Sequence, residues 1–163
     1  VKYGKDGTNV ALTIAIRSDH GVFVETYSCK PQSKGNQWIY DFCNKADIEK
    51  MVVDCSQGMQ EILNQAYKAK ELKIKPIYPT VKEVLMASET FMNGLENKAI
   101  CHMGQPSLTN SVSNCQKRLI GTNGGFGFKT IKESIDICIM ESCVFAFWIC
   151  KTSKAKIKTK FDY

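Results

Sequence analysis

Apolar and polar residues alternate along the first part of the chain in a pattern that is typical of β-strands. Residues 9–18 are rich in Val, Thr and Ile, and residues 22–27 alternate well enough to form an antiparallel partner. Asp19, His20 and Gly21 lie between these two segments and form a candidate turn. The pattern therefore predicts an antiparallel hairpin at the start of the fold.

Helical and extended segments alternate after the hairpin. The spacing of apolar residues predicts helices over 38–46, 59–71, 81–95, 105–121 and 134–148, and extended segments over 51–53, 74–78 and 98–101. A glycine-rich hairpin or loop is predicted over 121–128. This order favours an α/β fold with a mixed central sheet flanked by helices. No linker divides residues 1–163, so we expect a single domain.

Composition and charge narrow the class of protein. The 163 residues carry 22 basic and 16 acidic side chains, a formal charge of +6, as in a soluble globular domain with a polyanionic partner. The P-loop pattern is missing, so we expect no ATP hydrolysis by this chain. The apolar run Cys143–Cys150 is shorter than the roughly 20 residues of a membrane span. The lysine-rich segment 151–163 is either a phosphate-binding tail or a solvated extension.

The eight cysteines do not follow the spacing of a zinc site or a disulfide framework. They never form a C-x-x-C pair, and most lie in apolar runs, where a thiol behaves as a small hydrophobic group. The sequence therefore predicts reduced core cysteines in a cytoplasmic compartment.

Two aspartates lie next to apolar segments, where a carboxylate needs a partner. Asp54 closes the apolar strand 51–53 and is either a metal ligand at the edge of the sheet or a cap for the next helix. Asp136 lies at the predicted start of the last, mostly apolar helix, where it is capped, paired or bound to a cation. Carboxylate oxygens are the ligands that Mg²⁺ and Mn²⁺ prefer, and a two-metal site needs several of them on one face.

Other titratable residues are weaker candidates. Glu141 is five positions after Asp136, so it is predicted to point to another side of the helix and is not expected to be a primary ligand. His20 and His102 lie in a predicted turn and a polar loop, so both are expected at the surface.

Four segments, in this order and spacing, resemble the C-terminal nuclease domain of the large terminase subunit of tailed bacteriophages. They are 102–108 (HMGQPSL), 116–121 (QKRLIG), 125–128 (GFGF) and 134–137 (SIDI). The resemblance extends back through the strand before Asp54 and the opening hairpin, and so covers most of the chain. Its distinctive part is residues 101–141.

The resemblance implies an RNase H-like fold and a metal-dependent endonuclease that cuts concatemeric DNA with two Mg²⁺ or Mn²⁺ ions. Asp54 matches the family's second acidic position and Asp136 matches the last, which makes both of them metal ligands. The implied partners are double-stranded DNA, the ATPase domain of the same polypeptide, the small terminase subunit and the portal. The implied location is the cytoplasm of the host cell.

The chain departs from the family pattern at the first acidic position, where it has Lys2. Asp6 is a candidate third ligand, but the pair Asp6-Gly7 is also typical of a tight turn, and the structural interpretation is favoured. Basic residues expected to contact DNA are Lys117, Arg118, Lys129 and the lysines of the tail.

Two alternatives remain open at this point. Lys2 beside the two acids would weaken metal binding, which favours a basic DNA-binding or docking module of the packaging motor without cleavage. Another RNase H-like nuclease, such as a junction resolvase, would share the same acids.

Overall fold

The computed structural model describes residues 1–5 and 7–154. Asp6 and the segment 155–163, which holds most of the predicted basic tail, lie outside the described residues. The strands are β1 (Lys2–Tyr3), β2 (Asn9–Ser18), β3 (Gly21–Pro31), β4 (Met51–Val52), β5 (Pro76–Ile77), β6 (Ile100–Cys101), β7 (Cys115–Leu119) and β8 (Phe126–Thr130). The helices are α1 (Gln37–Lys45), α2 (Gln57–Lys68), α3 (Val81–Glu96), α4 (Pro106–Ser113) and α5 (Cys138–Thr152).

A mixed sheet forms the centre of the fold. Strands β1, β2, β3 and β6 lie in that order, with β2 antiparallel to both of its neighbours and β6 parallel to β3. The parallel pair β4–β5 is joined to β1 by a parallel bridge between Lys2 and Asp54. The predicted α/β class and the opening hairpin are confirmed, since β2 and β3 form that hairpin.

Helices cover both faces of the sheet because each face buries its own set of apolar side chains. The cluster on the first face joins β3, α3, α4, α5 and the β7–β8 hairpin, and includes Val24, Phe91, Leu108, Phe128 and Phe147. The cluster on the second face joins β2, α1 and α2, and includes Val10, Leu12, Ile39 and Leu63. The bridge between Lys2 and Asp54 therefore lies in a sheet that is packed on both faces.

A side chain completes the edge of β3 where its strand partner ends. Strand β6 pairs with β3 only at Val22 and Phe23. Further along β3, the side-chain amide of Gln105 accepts a hydrogen bond from Thr26 N at 2.8 Å and donates one to Thr26 O at 3.0 Å. This amide covers part of an otherwise open strand edge and fixes the start of α4 against β3.

The last helix begins later than its apolar pattern predicts. The predicted start was residue 134, whereas α5 runs from Cys138 to Thr152. Residues 131–137 form turns, in which Ile135 N donates to Lys132 O at 2.9 Å. Asp136 therefore precedes the helix instead of lying within it. Among the described residues, no helix is both long enough and apolar enough to cross a membrane.

The helix predicted over 105–121 is wrong beyond residue 113. Helix α4 ends at Ser113, and Asn114 is its C-cap, whose side-chain amide donates to the carbonyl of Asn110 at 2.8 Å. Residues 115–119 instead pair in register with 126–130 across the glycine-rich turn. The apolar spacing suited a helix, but a full ladder of cross-strand hydrogen bonds stabilises the hairpin. Gly121 and Gly124 adopt the positive φ angles of 71° and 77° that this turn requires.

The turn between β2 and β3 gives a stability prediction. Gly21 has φ 133°, and a Cβ there would overlap the carbonyl of Ala99, which accepts a hydrogen bond from Val22 N at 2.9 Å. We expect Gly21→Ala to lower the free energy of unfolding in urea by about 2–4 kcal/mol. Gly58→Ala is the control: Gly58 lies in α2, an added Cβ there would meet open space, and the variant should gain roughly 0.5 kcal/mol of stability. A Gly21→Ala protein as stable as the unaltered chain would contradict the tight approach of β3 to Ala99.

Candidate functional site

Lys2 and Asp54 are brought together by the bridge between β1 and β4. Tyr3 N donates to Asp54 O at 3.0 Å, and Asp54 N donates to Val1 O at 3.1 Å. Paired residues of neighbouring strands present their side chains on the same face. The Nζ atom of Lys2 lies 2.5 Å from Oδ2 of Asp54. The predicted site residue Asp54 thus contacts an ammonium group.

Glu141, in the first turn of α5, is the second carboxylate at this ammonium. Its Oε2 atom lies 3.6 Å from Nζ of Lys2. Helix α5 packs along β1 and β2, and Ser142 Oγ donates to Ala11 O at 3.3 Å, which fixes this turn over the sheet. The side chains of Lys2 and Glu141 are 5% and 15% exposed, whereas that of Asp54 is 29% exposed. Lys2 is therefore enclosed between two carboxylates, and Asp54 keeps the most contact with solvent.

The sequence pattern did not indicate Glu141 as a metal ligand, because it predicted that the last helix begins at residue 134, whereas α5 begins at Cys138. With residue 134 as the first helical position, Asp136 and Glu141 belong to one helix and point in different directions. Because α5 begins at Cys138, that angle does not apply to Asp136. A usable signal was present in the sequence: Glu141 is a carboxylate within the mostly apolar segment 138–150 and needs a partner for the same reason as Asp136 does.

Asp136 lies one residue before Ile137, the N-cap of α5, and bonds to the first N–H group of the helix. Its Oδ1 atom accepts a hydrogen bond from Cys138 N at 2.7 Å, and its Oδ2 atom accepts one from Asn9 Nδ2 at 3.2 Å. The capping alternative therefore describes its present contacts, and both of its oxygens are engaged. Asp136 and Asp54 make separate sets of contacts, but both act electrostatically on Glu141.

The charges of this cluster oppose one another. Burial raises the pKa of Glu141, and the nearby carboxylates of Asp54 and Asp136 raise it further, while Lys2 and Lys5 act in the opposite direction. Burial alone would lower the pKa of Lys2, but the carboxylates of Glu141 and Asp54 outweigh burial and raise it. Lys2 is therefore held in its charged form, and it is the cation that these carboxylates bind.

The cluster opens into a cleft of about 630 Å³. Its charged lining residues are Lys2, Lys5, Asp54, Arg118 and Glu141. The start of α2, the start of α3 and the β7–β8 hairpin form the walls. Because three of these five charged residues are basic, the cleft can hold a polyanion close to its two carboxylates.

The donor atoms can be compared with the needs of a divalent cation. The oxygens of Asp54 and Glu141 suit Mg²⁺ or Mn²⁺, whereas the ammonium of Lys2 occupies the space between them and repels a cation. Among residues 1–5 and 7–154, no three His, Cys, Asp or Glu side chains are grouped to hold a metal ion. The predicted ligand Asp6 lies outside the described residues. The described residues therefore do not fit a two-metal centre while Lys2 is present.

The three basic residues predicted to contact DNA lie on the β7–β8 hairpin and are exposed. Arg118 pairs with Gly127, and Gln116 pairs with Lys129, so Arg118 and Lys129 share one face of the hairpin. Lys117 lies on the other face, with its Nζ atom 4.2 Å from the ring centroid of Phe126. Arg118 and Lys129 thus lie on one face of the hairpin, and Lys117 lies on the other. Arg118 also lines the cleft.

His20 and His102 are both exposed, as predicted, and Nδ1 of His102 accepts a hydrogen bond from Gly104 N at 3.0 Å.

Comparisons of the chain with protein-family models, with curated proteins and with solved structures found no match.

Proposed function

We propose that this chain is the nuclease domain of a phage-type large terminase subunit, with an RNase H-like fold, and that Lys2 keeps its metal site from assembling. The observation that carries the proposal is the convergence of Asp54 and Glu141 on Lys2 in one basic-lined cleft. In this form the domain binds double-stranded DNA and cuts it slowly or not at all.

The positions of the residues that carry the resemblance support this proposal. The segment 102–108 leads into α4 and supplies Gln105, which bonds to the backbone of β3. The segments 116–121 and 125–128 form the hairpin beside the cleft, and 134–137 leads into α5, the helix of Glu141. The carboxylates of Asp54 and Asp136 both raise the pKa of Glu141.

Whether such a site can bind metal ions depends on the side chain at position 2. A pair of Mg²⁺ or Mn²⁺ ions, when bound, supplies an activated water and stabilises the leaving oxygen. With Lys2 in place, the ammonium neutralises Asp54 and holds Glu141 beside it. Arg118 and Lys129 bind backbone phosphates without reading sequence. The chain's own residues therefore provide DNA binding, and the missing function is metal binding.

A DNA-binding or docking module of the packaging motor is the second candidate function, and the Lys2–Asp54 ion pair favours it. This alternative retains the proposed partners, which are the ATPase domain of the same polypeptide, the small terminase subunit and the portal. It differs from the first candidate because the site would then have no cleavage role even with an acid at position 2.

The proposal is tested by comparing the unaltered chain with Asp54→Asn on supercoiled plasmid with Mn²⁺. We expect both proteins to shift DNA in a gel at low salt and to cut it at the same low rate, because Asp54 is already neutralised by Lys2. Calorimetry should detect no tight Mn²⁺ binding to the unaltered chain. Rapid cutting that is lost in Asp54→Asn would show that Lys2 does not block the site.

DNA binding should depend on the paired face of the hairpin. We expect Arg118→Ala and Lys129→Ala each to reduce the slope of log affinity against log salt by about 0.9, because each residue neutralises about one phosphate. Lys117→Ala is the matched control on the opposite face and should change the slope less. If the Arg118→Ala/Lys129→Ala protein keeps the unaltered affinity and slope, the hairpin is not the DNA-binding surface.

A further inference from the structure

Two cysteines from distant parts of the chain are in contact beside the candidate site. Cys29 lies on β3, and Cys138 is the first residue of α5. Their Sγ atoms are 3.6 Å apart. A disulfide bond needs about 2.05 Å, so the two sulfurs have to approach by roughly 1.5 Å, which is within the range of side-chain rotation.

The two thiols differ in access to solvent. Cys29 is exposed, whereas Cys138 is 1% exposed. Three of the other six cysteines have different sulfur contacts: Cys43 contacts Met51, Cys115 contacts Met140, and Cys101 contacts the carbonyl of His20. A reagent in solution can therefore reach Cys29 first, with Cys138 already in place to react with it.

We propose that Cys29 and Cys138 form a reversible disulfide site that reacts with small-molecule disulfides such as oxidised glutathione. The thiolate of Cys29 attacks one glutathione sulfur, forming a mixed disulfide and releasing one glutathione thiolate. The sulfur of Cys138, 3.6 Å from that of Cys29, then attacks the Cys29 sulfur, and its proton passes to the departing thiolate, so that the second glutathione leaves as a thiol. Two protein thiols are oxidised, and one oxidised glutathione is reduced to two thiols.

This bridge would tie β3 to the first turn of α5. Cys138 N donates to Asp136 Oδ1, and Cys29 pairs with Ala11, two residues from Asn9, whose side chain bonds to the other oxygen of Asp136. Oxidation would therefore fix the helix start that positions Asp136. The inference is independent of the proposed nuclease function, because it depends only on the two thiols.

The test treats the whole chain with oxidised glutathione and follows it by intact mass and peptide mapping. We expect a loss of two hydrogens in mass, a linked peptide containing Cys29 and Cys138, and full reversal by dithiothreitol. Cys29→Ser should abolish the linkage. Cys101→Ser is the control on a partly exposed cysteine without a thiol neighbour and should form the bridge as before.

Two outcomes would overturn the inference. One is a stable glutathione adduct on Cys29 with Cys138 still free, which would show that the second thiol does not react. The other is that neither thiol reacts while Cys101 is modified. The main test uses Cys29→Ser because Cys29 is exposed, whereas Cys138 is buried and its replacement affects the core. In Cys138→Ala the second thiol is absent, so the glutathione adduct should remain on Cys29.

Discussion

Lys2→Asp is expected to cut plasmid DNA with Mn²⁺ at least about 100-fold faster than the unaltered chain, since metal ions supply several kcal/mol of transition-state stabilisation. The change removes the ammonium 2.5 Å from Asp54 and adds a carboxylate. The formal charge of the cluster at position 2, Asp54 and Glu141 falls from minus one to minus three. Oxygen ligands from β1, β4 and α5 then surround one space, as a hard divalent cation requires. The rate of loss of supercoiled plasmid measures the effect.

Three controls make this result specific to the metal site. Lys2→Asn has nearly the shape of Lys2→Asp without its charge and should stay inactive. A chelator should abolish cutting by Lys2→Asp. Adding Asp54→Asn or Glu141→Gln to Lys2→Asp should return the rate to the background level, because these are the two carboxylates that lie beside position 2.

The fold of Lys2→Asp has to be measured alongside its activity. Three carboxylates without a cation repel one another, so this variant should be less stable without Mn²⁺ and should regain stability as the ion is added. A folded Lys2→Asp protein that neither gains stability from Mn²⁺ nor cuts DNA would contradict the proposed nuclease site and leave the docking module as the function.

The sequence was informative wherever one local pattern decided the structure. The opening hairpin and the helices near 38–46 and 81–95 were predicted within a few residues, because apolar periodicity and caps act locally. At the start of α3, for example, Thr80 and Glu83 form a reciprocal capping box. The position of Asp54 at the end of a strand was predicted for the same reason.

Strand β7 and the environment of Lys2 could not be predicted from the sequence, because they depend on contacts between distant parts of the chain. Residues 115–119 have helical spacing, and only their pairing with 126–130 makes them a strand. The contact of Glu141 with Lys2 joins positions far apart in sequence and depends on where α5 begins. Lys2 could be recognised in the sequence as a departure from the pattern of the family that the chain resembles. Its burial between two carboxylates could not be predicted, because it depends on the packing of α5 against the sheet.

Lys2→Met is expected to lower the free energy of unfolding by about 2–4 kcal/mol at pH 8. The change leaves Glu141 and Asp54 as neighbouring carboxylates without their cation, and Glu141 is largely buried. We expect a smaller loss of unfolding free energy than for a fully buried ion pair, because Asp54 is partly exposed and water screens its charge. Urea unfolding of both proteins measures it. Lys34→Met, on an exposed lysine, is the control and should change stability by less than about 0.5 kcal/mol.

The loss in Lys2→Met should be smaller at pH 5 than at pH 8. Burial and the neighbouring carboxylates already raise the pKa of Glu141, and removing Lys2 removes an influence that lowers it. A carboxyl group whose pKa is raised by folding binds its proton more tightly in the folded state, so its penalty is absent at low pH and grows as pH rises through the folded pKa. Adding Glu141→Gln should therefore restore at least half of the lost stability at pH 8 and flatten the pH dependence. A loss that is equal at both pH values, or that Glu141→Gln leaves unchanged, would mean that Lys2 stabilises the fold through packing of its aliphatic chain and not through these two carboxylates.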